Sequence, residues 1–74
     1  MPQFELDNVG LGGFSGLVRG RTAVEAVRRG AELAEGALPT VAAEEDLQGW
    51  QEVVVDGEAS GRVRMHQRMR FRRD

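Results

Sequence analysis

Seventy-four residues leave room for one domain, and a chain this short buries only about 60% of the surface that its unfolded form exposes, so its core is small. It has no cysteine and a single histidine, which excludes disulfides and the usual structural zinc sites and leaves self-association as the common remaining support for so small a domain. The formal charge is −2 but unevenly placed: residues 1–61 hold four arginines against eleven acids, a balance of −7, and residues 62–74 hold six arginines against one acid, a balance of +5.

The first eight residues are acidic and alternating, unlike the basic and then apolar start of a secretory signal. The longest aliphatic run, Val53 to Val55, is far too short to cross a bilayer. Together with the absence of cysteine, this predicts a soluble protein made inside the cell, with no membrane partner.

In "QFELDNV", Phe4 and Leu6 alternate with Gln3, Glu5 and Asp7, the period-two signature of a short strand with one buried face, expected near a sheet edge. Next, "GLGGFSGLVRG" holds five glycines in eleven residues, which argues against a long regular element. Leu11, Phe14, Leu17 and Val18 still fall at helical spacing. A short glycine-softened helix or a packed loop fits both facts.

Thr22 opens a clear helix, because "TAVE" sets a threonine N-cap three residues before Glu25, the arrangement of a capping box. Val24, Val27, Ala31, Ala34 and Leu38 form one apolar stripe, with Glu25, Arg28, Arg29, Glu32 and Glu35 opposite and Glu25 to Arg29 as an i,i+4 pair. Pro39 is expected to end the helix. A second stripe, Ala26, Gly30, Leu33 and Ala37, is more than one buried face requires, and a close approach at Gly30 would account for it.

"PTVAAEEDLQG" reads as a polar connection. Trp50 then opens the strand "WQEVVVD", and the turn residues of "DGEASG" join it to a second arm from Arg62 onward. In that arm the odd positions from Val63 to Phe71 are expected to face the core. The even positions Arg62, Arg64, His66, Arg68, Arg70 and Arg72 face outward. The resulting fold class is α+β: a short N-terminal strand, one main amphipathic helix and a C-terminal antiparallel β-hairpin packed on it, in one domain spanning 1–74.

The chemistry of catalysis is sparse. Gly10, Gly12 and Gly16 are spaced G-x-G-x-x-x-G, with Ser15 where a dinucleotide fingerprint needs its third glycine, and a P-loop needs a lysine that this chain lacks. Ser15 and Ser60 have only His66 as a base and no nucleophile elbow. Glu44, Glu45 and Asp46 read as a solvated acidic run. No enzyme, no metal and no cofactor is expected.

The arginine face has three readings. It can be a charged strand with Glu52, Asp56 and Glu58 across the hairpin. It can bind nucleic acid, although Phe71 alternates to the wrong side for base stacking. The charge division favours the third, a subunit contact in which Arg62, Arg64, Arg68, Arg70 and Arg72 meet Glu44, Glu45 and Asp46 of another copy.

The order "FEL", "GLGGFSGLVRG", "AVEAVRRGAELAEGA" and "VVVDGEASGRVRM" resembles the small head–tail connector and tail-completion proteins of tailed bacteriophages. That resemblance implies a homo-oligomeric virion component, made in the host cytoplasm, with other virion proteins as partners. In many relatives the hairpin is followed by another helix, which this sequence does not carry. The order strand, helix, two strands, with Trp50 opening the second strand and Gln67 on the third, also resembles the dodecin-like flavin-binding proteins. A small RNA or DNA chaperone is the third class.

Overall fold

The alternation of "QFELDNV" becomes β1 (Gln3–Val9), in which Phe4, Leu6 and Val9 are buried and Glu5 and Asp7 turn to the other face. The computed structural model describes residues 1–66. Within them β1, β2 (Phe14–Arg19), β3 (Pro39–Val41), β4 (Gln51–Val55) and β5 (Glu58–Met65) form one antiparallel sheet in the order β2-β1-β5-β4-β3, with one helix, α1 (Ala23–Gly30), against it. The fold is mixed α+β. It has more strand and less helix than the sequence leads one to expect.

Four boundaries differ from expectation. First, β1 lies inside the sheet, between β2 and β5, not at its edge. Second, the glycine-rich stretch is neither helix nor loop: Gly10 to Gly13 make the turn, and Phe14, Gly16 and Val18 then alternate along β2 opposite β1. Third, α1 stops after eight residues. Ala31 adopts an extended conformation, and the Glu32 carbonyl accepts from the amide of Leu11 at 2.7 Å, which draws the chain off the helix axis and onto the β1–β2 turn. Fourth, Pro39 starts β3 in place of ending a helix, a position open to proline because the first residue of an edge strand need not donate.

The start of α1 follows the sequence closely. Thr22 is the N-cap, its hydroxyl accepting the Glu25 amide at 3.1 Å, while the Glu25 carboxylate reaches back one residue further, to the amide of Arg21 at 2.8 Å. The helix buries Ala26 and Val27. Gly30 sits where a Cβ would collide with Val18 of β2, so the second small-residue stripe packs on the sheet together with Val27 of the first, whereas Leu38 is exposed.

Asp56 and Gly57, both at positive φ, make the two-residue turn between β4 and β5, the hairpin geometry that an Asp-Gly pair favours. Gly61 (φ +80°) marks a register shift between β4 and β5, and a Cβ there would strike the carbonyl oxygens of Asp7 and Asn8. No other residue type fits that bulge. The core comprises Phe4, Leu6, Val9, Ala26, Val27, Val53 and Val63, all on the helix side of the sheet. Val63 follows the expected alternation, but Met65, paired with Phe4, is half-exposed. Among the described residues no helix is long and apolar enough to cross a membrane.

Candidate functional site

The face of the sheet away from α1 is built from the other half of each alternating strand. On β1 these are Glu5 and Asp7; on β5, Arg62 and Arg64. The register sets Glu5 opposite Arg64 and Asp7 opposite Arg62, and each pair closes. Arg62 Nε donates to Asp7 Oδ2 at 2.7 Å, and Arg64 Nε donates to Glu5 Oε1 at 3.0 Å.

Trp50 completes the ladder. Its ring centroid lies 4.2 Å from the guanidinium carbon of Arg62 and 4.2 Å from that of Arg64, within cation–π range. Trp50 immediately precedes β4 and is 7% exposed, yet it lies outside the hydrophobic core cluster. It anchors the open face of the sheet and not the core.

The connection between β3 and β4 is tied down by one side chain. Asp46 Oδ1 accepts from the amides of Gln48 at 2.8 Å and Trp50 at 3.0 Å, and the Asp46 amide donates to the Trp50 carbonyl at 3.0 Å. The Trp50 hydrogen bond is the largest cause holding the Asp46 carboxyl below its usual value. Partial desolvation opposes it, and the Gln48 amide and the charges of Arg62 and Arg64 reinforce it. From the sheet side, Arg64 Nη1 donates to the Gln48 carbonyl at 3.0 Å, and Gln51 Nε2 donates to the Ala42 carbonyl at 2.9 Å.

Arg62, Arg64 and Asp46 are therefore brought together within one chain, and Glu44 and Glu45 stand exposed beside them on the same connection, lining with Trp50 and Arg62 a shallow pocket of about 460 Å³. Arg68, Arg70 and Arg72, with Met69 and Phe71, lie outside the described residues. Of the acids expected across the hairpin, Glu52 is in register with Arg62, but the ion pair of Arg62 goes to Asp7. Asp56 serves the backbone instead, accepting the Leu38 amide at 3.1 Å. Sequence reasoning missed Glu5 and Asp7 as partners. Their signal was present in the exposed half of the β1 alternation, but only the placing of β1 beside β5 gives it meaning.

No family model, curated protein or solved structure matches the chain.

Proposed function

We propose that this protein is a non-enzymatic interaction subunit that assembles with copies of itself, in the manner of the head–tail connector and tail-completion proteins that its sequence resembles, with other virion components as its further partners. The observation that carries the reading is the unequal finish of the sheet: one face is closed by α1 and a dry core, whereas the other is covered only by the Trp50 ladder and leaves Leu17 half-exposed. A domain with so few buried residues gains from a second copy.

Arg62 and Arg64 are occupied by Asp7 and Glu5, so they hold the ladder and leave the contact to the residues that follow. In this proposal Arg68, Arg70 and Arg72 of one subunit meet Glu44 and Glu45 of the next. Asp46 serves there as the anchor of the acidic connection.

A dodecin-like role needs an indole face free for a flavin, and both guanidinium groups already pack on Trp50. Nucleic-acid binding through the closing arginines is the outcome to be tested against. Light scattering after size exclusion at micromolar protein should show more than one subunit. Arg68→Glu with Arg70→Glu should lower that mass, and adding Glu44→Arg with Glu45→Arg should restore part of it. Submicromolar DNA binding at physiological salt, lost in the first variant while the mass stays unchanged, would replace the assembly reading with a nucleic-acid one. Co-purifying yellow flavin would replace it with the dodecin reading.

A further inference from the structure

The two ends of the sheet are finished differently, and the difference identifies a contact. Hydrogen-bond parity follows from single bonds at each edge, since residues along a strand alternate between pointing their backbone groups at one neighbour and at the other. At one end, the Asp56 amide donates to the Leu38 carbonyl and the Ala42 amide to the Glu52 carbonyl. Leu38, Thr40 and Ala42 thus face β4, and Pro39 and Val41 face outward. Pro39 has no amide to offer, so the outer edge of β3 presents a single donor from within the strand. This is a blocked edge.

At the other end, the Gly20 amide donates to the Pro2 carbonyl at 3.1 Å. Gly20, Val18 and Gly16 therefore face β1, and Ser15, Leu17 and Arg19 turn both their amides and their carbonyls outward from β2. Among the described residues β2 has β1 as its one strand neighbour. The six-residue edge carries no proline, and its face toward the open side holds Ser15, half-exposed Leu17 and exposed Arg19.

We infer that the outer edge of β2 pairs antiparallel with β2 of a second copy, about a two-fold axis through Leu17. The inference rests on the self-association proposed above and adds to it a second contact, distinct from the one between the closing arginines and Glu44 and Glu45. With the outward groups at 15, 17 and 19, the register that joins all of them sets Leu17 against its own counterpart and Ser15 against Arg19 of the other chain. Each half-exposed Leu17 then covers the other. The charges agree as well. Ser15 Oγ donates to Asp7 Oδ1 at 3.4 Å, so Arg19 of the second copy arrives over a short side chain, with the Asp7 carboxylate next along the same row. A like-charged residue at 19 would have no such partner. The result is one continuous ten-stranded sheet, with both Trp50 ladders on the same side.

The register is directly testable because the chain has no cysteine of its own. On the axis, Leu17→Cys sets two thiols on residues whose Cα atoms are about 5.5 Å apart in a hydrogen-bonded antiparallel pair, inside the range a disulfide spans. Two residues away, Arg19→Cys sets them roughly 14 Å apart at a rise of about 3.4 Å per residue, beyond that range. Under mild oxidation at micromolar protein, Leu17→Cys should give a disulfide dimer at least tenfold faster than Arg19→Cys and than Glu35→Cys, an exposed position outside both proposed contacts that reports random collision. Equal rates for the three would overturn this interface. Leu17→Pro supplies an independent measurement, because the amide it removes points outward and serves no bond within the chain. It should retain the wild-type far-ultraviolet circular dichroism and lose the β2-mediated dimer; a folded Leu17→Pro with wild-type mass would also overturn the interface. The two readings fail separately. An oligomer by light scattering that does not cross-link through position 17 removes the β2 contact and leaves self-association standing, and a monomer at every concentration removes both.

Discussion

The two faces of this sheet are held by different physics. The helix side is dry and apolar: Leu6, Val9, Val27, Val53 and Val63 are almost wholly enclosed, and among the described residues no polar or charged side chain is buried. The open side is held by charge and by one indole, with Glu5, Asp7, Arg62, Arg64 and Asp46 all partly or fully solvated around Trp50. A small domain that cannot afford a second hydrophobic layer covers its other face with side chains that water tolerates. Stability should therefore reside on the first face, and sensitivity to salt and acid on the second.

The sharpest way to break the comparison is in the core. Leu6→Ala removes a side chain 1% exposed and should cost about 3 kcal/mol by denaturant titration, an amount unaffected by salt. A cost below about 1 kcal/mol would mean that the helix side is not the dry layer described. Trp50→Ala should come next, at about 2 kcal/mol, since it strips the shared cover from both arginines. Its signature is a selective one: the wild type should lose stability in 1 M salt, where screening reaches to about 3 Å, and the variant should lose less. Equal salt dependence in the two would show that the ladder acts as packing alone.

The smallest effect is confined to acid. The Asp46 carboxyl is held below its usual value of 3.8, so the folded state favours the ionised form. Its contribution is complete above that value and disappears as pH falls through the lower folded one. Asp46→Asn keeps the oxygen that accepts from Gln48 and Trp50 and removes the charge. It should match the wild type in fold at neutral pH, and its stability should fall less between pH 4 and pH 2 when followed by circular dichroism. Superimposable acid limbs would assign that limb to other carboxylates.

Much of the local structure was legible because it is set locally. The alternation of Phe4 and Leu6 marked β1, the Thr22 and Glu25 pair marked the start of α1, and Asp56-Gly57 marked the hairpin turn. What escaped depends on partners distant in sequence. β2 escaped because Gly16 carries no side chain to complete its alternation, and its strand conformation comes from pairing with β1. The end of α1 escaped because a carbonyl at Glu32 is claimed by Leu11, a tertiary bond that outweighs the helical periodicity continuing through Ala34 and Leu38. At the site, alternation placed Arg62 and Arg64 outward correctly. It could not say that β1 lies beside them, so two internally neutralised arginines read as available ones.

The placing of β1 next to β5 has a further consequence, for the order in which the chain can fold. The β1–β2 and β4–β5 hairpins close over short loops, but the seam between β1 and β5 joins residues such as Glu5 and Arg64, 59 positions apart along the chain. Loop closure of that span has to be met before the central pairing rewards it. On the ribosome the first hairpin and α1 emerge without the strand that completes their sheet, leaving the β5-facing edge of β1 bare until β5 has been synthesised and released from the exit tunnel. Folding of this domain accordingly waits for β5, and until that strand arrives the bare edge of β1 is the part of the growing chain most open to stray pairing.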